Sequence, residues 1–253
     1  MKHNVSLSMR ERTAYLIFLG VFAFLMIIFD RIGARGISKR SGGRSVAQQA
    51  AMSTSQTKKS PLRVFCYGDS LTAGTSPPEF QVFPYALHLE RALRQFNPTI
   101  SVRHRGLPGW TADDLLRTDA PEAIKAVAPV QVAVILAGTN DLGQTPDPSL
   151  IIENVIGLHR LFYAQGVSHT VAIGIPSSGY QSMVPEAAQK AQAVNDALAQ
   201  YCQSESKATY VPFPFGFGQG DDNWSPDGLH FSQRGYQILG ESLAPVVQKI
   251  LKI

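Results

Sequence analysis

From residue 61 onward, two rhythms of apolar positions alternate along the chain. Runs of strand length stand at Val64 to Tyr67, Ile100 to Arg105, Val130 to Leu136, Thr170 to Ile175 and, shortest, Ala208 to Val211. The run at 130–136 is nearly continuous, as a strand covered on both faces requires. Between the runs the period changes to that of a helix. Phe83, Leu87, Leu89, Ala92, Leu93 and Phe96 mark one over residues 82–96, and further helices are expected at 149–165, 185–204 and 233–251. Thr111 followed by Ala112, Asp113 and Asp114 has the form of a helix start, with a capping threonine and acidic residues in the first turn.

Five strand–helix alternations predict an α/β fold with a parallel sheet and helices on both faces, a three-layer sandwich. No repeat of 20–50 residues is present, so a solenoid is excluded. The consequence is positional. All strand carboxyl ends share one rim, and three glycine-containing loops begin there: Gly68-Asp69-Ser70, Gly106 to Gly109, and Gly138-Thr139-Asn140-Asp141. Adjacent strands lie roughly 5 Å apart, so these loops can converge on one small volume.

The first sixty residues follow another pattern. A short basic flank (1–12) precedes an uncharged apolar run from Ala14 to Phe29, and a span over 13–30 is expected to be a transmembrane signal-anchor helix. Sixteen residues rise about 24 Å as a helix, a short span that suits a thin bilayer such as that of the endoplasmic reticulum. Residues 31–60 are rich in Ser, Gly, Gln and basic residues and read as a flexible tether, leaving the folded domain at 61–253. A single-pass endomembrane protein is therefore expected, with the membrane as a partner and the side of the domain left open.

Charge sharpens that division. Residues 1–60 carry ten Lys/Arg against two acidic residues, a net of +8, while residues 61–253 carry thirteen against seventeen, a net of −4. The basic excess is not on the folded part, so the sequence points away from nucleic acid as a partner. Cys66 and Cys202 are too few for a disulfide framework or a metal site, and no cofactor is expected.

A serine hydroxyl needs a base to take its proton, and the base needs a third group to orient it. Ser70 follows a strand directly. Of six histidines, His3 precedes the apolar run, and His88, His104, His159 and His169 fall in helical or strand patterns. His230 lies in a Pro/Gly loop before the last helix, three residues after Asp227, which can accept the proton on Nδ1 and leave Nε2 for Ser70. Ordinary turn chemistry accounts for Asp227 and His230 equally well on these residues alone. Donors for an oxyanion are available on the same rim: the Ser70 N–H, the Gly109 N–H and the Asn140 side-chain amide. Pro108 has no N–H to offer.

Gly68-Asp69-Ser70-Leu71, Gly109, Gly138-Thr139-Asn140-Asp141 and Asp227-Gly228-Leu229-His230, taken in order, resemble the SGNH hydrolases, the GDSL-type esterases and lipases. The resemblance implies a flavodoxin-like three-layer α/β/α sandwich with a five-stranded parallel sheet, and no metal. It assigns Ser70 as nucleophile, His230 as base, Asp227 as its orienter, and Ser70, Gly109 and Asn140 as the oxyanion hole. Leu107-Pro108 before Gly109 departs from the small polar residues usual there. Leu71-Thr72-Ala73-Gly74 resembles the arylesterase and lysophospholipase-like branch.

The expected function is hydrolysis of carboxylic esters (aryl or acyl esters, or lysolipids) through an acyl-enzyme on Ser70. A carbohydrate O-acetylesterase, an acyl thioesterase and a non-catalytic binding module stay open as alternatives. Phe213, Phe215, Phe217 and Trp224 either wall an apolar pocket or roof the core. The sequon Asn223-Trp224-Ser225 is followed by Pro226 and stands close to His230, and it is expected to carry no glycan.

Overall fold

The computed structural model describes residues 61–218 and 221–253. Five strands, β1 (Arg63–Gly68), β2 (Ser101–Gly106), β3 (Val132–Leu136), β4 (His169–Ile173) and β5 (Ala208–Val211), pair in parallel in the order β2-β1-β3-β4-β5. This is the flavodoxin-like order, in which the strand order reverses between β1 and β3. The α/β/α sandwich expected from the alternation of elements is present.

Side-chain alternation along β1 explains the layering. Val64 and Cys66 point into a core built with α2 (Tyr85–Arg94) and α6 (Gln233–Leu251), while Phe65 and Tyr67 point into one built with α3 (Ala120–Val127), α4 (Pro148–Ala164) and α5 (Pro185–Ser204). Every residue of β3 is buried, as its continuous apolar run requires.

Helix α2 departs from the reading of its sequence. It begins at Tyr85 behind Pro84, because Gln81–Val82 pairs with Thr75–Ser76 as a small antiparallel hairpin. Its buried face is Tyr85, Ala86, Leu89 and Leu93, whereas Leu87 and Phe96 are more than half exposed. Thr111 does cap a helical segment, in a reciprocal capping box with Asp114, and a π-turn over Leu115–Asp119 leads on into α3.

The expected membrane-spanning helix requires correction. Among the described residues no helix is long and apolar enough to cross a membrane. The long helices carry polar faces instead, such as Gln237, Glu241 and Lys249 on α6. The flank, span and tether assigned to residues 1–60 lie outside the described residues, whose fold class is the sandwich.

Candidate active site

The first turn after β1 is set by two close approaches. A Cβ at Gly68 would fall 1.9 Å from the Leu136 carbonyl oxygen, and one at Gly106 would fall 2.0 Å from the Ala73 nitrogen. Both glycines are needed because helix α1 (Ser70–Ala73) beds down on the ends of β1, β2 and β3. The turn itself does not demand Gly68, which is absent from the left-handed glycines. Asp69 caps α1: its Oδ1 accepts from the Leu71 N–H at 2.9 Å, and its carbonyl accepts from Thr72 and Ala73. Ser70 opens the helix, so its own N–H has no intrahelical acceptor.

His230 arrives from the opposite end of the chain. Asp227 Oδ1 accepts the N–H groups of Leu229 and His230, both at 3.0 Å, and so winds the loop back on itself. Asp227 Oδ2 meets His230 Nδ1 at 2.6 Å, and His230 Nε2 meets Ser70 Oγ at 2.9 Å. Burial alone would push the Asp227 carboxyl up. The hydrogen bond and charge of His230, with the two N–H donors, outweigh it and hold the group below its ordinary value. Asp227 is therefore ionised at neutral pH and keeps the Nδ1 proton directed at itself.

Two further ties hold the serine and histidine segments in register. The Tyr236 hydroxyl of α6 donates to the Thr75 carbonyl at 2.7 Å, and Ser225 Oγ donates to the Pro77 carbonyl. Both acceptors lie in the hairpin that follows α1.

The other two loops of the rim meet beside this line. Leu107 N–H donates to the Gly68 carbonyl at 2.9 Å, which anchors the loop after β2 to the end of β1. Gly109 adopts φ +82, a conformation L side chains rarely take, and a Cβ there would meet nothing within 4 Å. Its backbone is thus open to an incoming molecule. Asn140 Nδ2 donates one hydrogen to the Trp110 carbonyl at 2.9 Å and retains a second for a ligand. Asp141 is fully buried and accepts the Ala112 N–H at 2.8 Å.

Two of the remaining histidines of the domain make structural contacts. His159 is fully buried with Nδ1 2.7 Å from Thr170 Oγ1, and burial pushes it down to about 3. His169 pairs with Thr209 between β4 and β5. Burial likewise lowers His88 and His104. Cys66 is an inert core thiol, pushed up to about 12 by burial.

The aromatic loop divides between its two readings. Phe213, Phe215 and Trp224 stack around the buried Phe231, with ring centroids 5.0, 5.3 and 5.0 Å from it, and so roof the core. Phe217 is the outermost ring, 37% exposed, and lies against Gly228 of the Asp227–His230 loop. Asn223 of the sequon is buried, its carbonyl accepting from Ser232 N–H.

Sequence reasoning placed Asp141 on the rim without a role and missed Lys190 as a neighbour of this site. Lys190 Nζ of α5 donates to the Thr145 carbonyl at 2.7 Å and the Leu142 carbonyl at 3.3 Å, bracing the turn that begins at Asn140. Lys190 sits in a polar helical stretch without a signal of its own.

Over residues 66–238 the sequence matches the GDSL-like Lipase/Acylhydrolase family. It is 26% identical over 203 residues to the isoamyl acetate-hydrolyzing esterase of Saccharomyces cerevisiae, covering 72% of this chain and 84% of that one. Among solved structures, the fold is similar to a carbohydrate acetylesterase family member from Sinorhizobium meliloti (TM-score 0.62, 17% identity, 76% of this chain and 100% of that one). It is also similar to a carbohydrate esterase family 3 protein from Talaromyces cellulolyticus (TM-score 0.61, 17% identity, 76% and 99%).

Proposed function

We infer that this chain, which belongs to the GDSL-like lipase/acylhydrolase family and is a carboxylic ester hydrolase, works through Ser70, His230 and Asp227 on short acyl esters of apolar alcohols. The observation that carries the assignment is the continuous line from Ser70 Oγ to His230 Nε2 at 2.9 Å and from His230 Nδ1 to Asp227 Oδ2 at 2.6 Å, at the carboxyl end of β1.

His230 Nε2 takes the Ser70 proton as Oγ bonds to the ester carbonyl carbon. The negative charge that develops on the carbonyl oxygen is held by the Ser70 N–H, the Gly109 N–H and the second hydrogen of Asn140 Nδ2. The carbon–oxygen bond to the alcohol then breaks, and His230 gives its proton to the departing oxygen. Water repeats the sequence on the acyl-serine, its proton passing through His230, to release the acid and restore Ser70. Asp227 stays ionised throughout and favours the imidazolium that forms in each half.

Support for a small acyl group comes from the yeast relative, whose name specifies an acetate ester of a branched alcohol. An apolar alcohol would find Phe217 beside the loop that carries His230.

The test is turnover of p-nitrophenyl acetate, butyrate and octanoate, and of isoamyl acetate, by the full chain and by Ser70→Ala. Wild type is expected to prefer acetate and to be labelled once, on Ser70, by a fluorophosphonate. Ser70→Ala is expected to lose at least about 10³-fold in kcat and to escape labelling. Equal rates for the two proteins would remove Ser70 from the chemistry, and a preference for octanoate would overturn the short-acyl reading.

A further inference from the structure

We propose that Asp141 is a positioning residue: its carboxylate clasps the loop of Gly109 to the loop of Asn140 and so fixes the spacing of two of the three oxyanion donors. The inference rests on the reading of Gly109 and Asn140 as those donors.

The clasp consists of two hydrogen bonds running in opposite senses. Asn140 sends its side-chain amide to the backbone carbonyl of Trp110 at 2.9 Å, and Ala112 sends its backbone N–H to Asp141 Oδ2 at 2.8 Å. Residues 140 and 141 thereby hold residues 110 and 112, just beyond Gly109. The first bond also orients the Asn140 amide, because committing one hydrogen to Trp110 fixes the direction of the other.

Gly109 is constrained only through its backbone, in a turn closed by the Trp110 N–H on the Leu107 carbonyl at 3.2 Å. It has no side chain, stands at φ +82, and has open space where a Cβ would lie. Its loop is held at the near end by Leu107 N–H on the Gly68 carbonyl, and Asp141 supplies the far end. Releasing that end leaves the 107–110 turn tied to the Asn140 loop through the Trp110 carbonyl alone, free to shift as a unit, while a donor must stand within a few tenths of an ångström of its productive position to act fully.

Asp141 is itself held firmly. It is fully buried, its own carbonyl accepts the Thr145 N–H at 2.8 Å, and Lys190 braces the same turn through the Leu142 and Thr145 carbonyls. A purely structural role would be to satisfy the N–H of Ala112, an orphan donor at the start of a capped helical segment. The two roles differ in what they do to charge on the substrate oxygen.

The experiment compares wild type, Asp141→Ala, Asp141→Asn, Ala112→Pro and Asn140→Ala as full chains. Kinetics are measured on p-nitrophenyl acetate and on its thiono analogue, whose C=S sulfur accepts hydrogen bonds weakly and gains little from the hole. Asp141→Ala is expected to lower kcat on the oxygen ester about 10–10²-fold with KM within about threefold, and to leave the thionoester rate within about threefold. Asp141→Asn retains an acceptor for Ala112 and is expected to recover most of the loss.

Ala112→Pro breaks the same bond from its other end. Proline is well tolerated at a first helical position behind an extended residue, and Thr111 has ψ 167, so this variant keeps the test alive if Asp141→Ala does not fold. It is expected to show the same selective loss. Equal losses on both esters, or wild-type kcat in Asp141→Ala beside a disabled Asn140→Ala, would overturn the clasp alone. Wild-type kcat in Asn140→Ala would overturn the donor reading and the clasp with it.

Discussion

Replacing Asn140 with alanine removes one of the three N–H donors proposed for the oxyanion and leaves Ser70, His230 and Asp227 untouched. A single preorganised donor of this kind contributes about 2.7–4 kcal/mol to the transition state, so kcat should fall about 10²–10³-fold. The ground-state carbonyl carries little charge, and KM should change by less than about threefold. The cost to folding is separate and small. Asn140 is half-buried and its one hydrogen bond, to the Trp110 carbonyl, is worth about 0.5–1.5 kcal/mol. In a domain of this size that corresponds to a few degrees in Tm, roughly 2–4 °C per kcal/mol. The measurement is kcat and KM for p-nitrophenyl acetate beside a thermal melt of the same protein. Asn140→Asp sharpens it, since the shape is retained while the donor is replaced by a charge that repels an oxyanion, and its kcat should fall further than that of the alanine variant. A kcat within about threefold of wild type, in an Asn140→Ala protein with a normal melt, would refute the assignment.

Gly109→Ala forces an L residue to φ +82, which should lower the unfolding free energy by about 1–2 kcal/mol in a denaturant titration; because the new methyl meets no protein atom, it should also raise KM for esters, and an unchanged KM would show that the space is not the substrate's. Asp69→Asn tests a buried carboxyl that burial pushes up to about 7. Below about pH 4 the group is protonated in folded and unfolded chains alike; between about pH 4 and 7 only the folded chain holds the proton, so its contribution to stability is lost as pH rises through that window. The amide in Asp69→Asn cannot titrate, and urea midpoints of the variant should fall less steeply from about pH 5 to 7; a slope as steep as that of wild type would contradict the shift. Asp227 works in the other direction, its lowered carboxyl losing stability only as pH falls below the unfolded value near 4.

The parts of the molecule governed by local chemistry are legible in the sequence. Val64 to Tyr67 reads as a buried strand, Thr111 and Asp114 announce a capped helix, and the three rim loops follow from a parallel sheet. Asp227 and His230 are ambiguous alone, because a carboxylate three residues before a histidine also serves as turn chemistry; the separation between Ser70 and His230 has to be closed by tertiary structure. Leu87 and Phe96 fit the helical period and yet face solvent, since α2 turns its Tyr85, Ala86, Leu89 and Leu93 edge toward α6 instead. Gly68 reads as a turn residue but is required by a strand packed against the Leu136 carbonyl, a contact no local pattern encodes. Asp141 shows the same limit: its acceptor role depends on a backbone N–H twenty-nine residues away.

Ser70 and His230 stand 160 residues apart in sequence, and the hairpin after α1 is tied to α6 over 161. Contacts of such range carry a loop-closure cost that local turns and caps do not. Without α6 and its preceding loop in place, Ser70 would have only an ordinary alcohol's reactivity. Ester turnover through Ser70 would in this sense report on tertiary closure: a chain that shows it has brought residues 70 and 230 together.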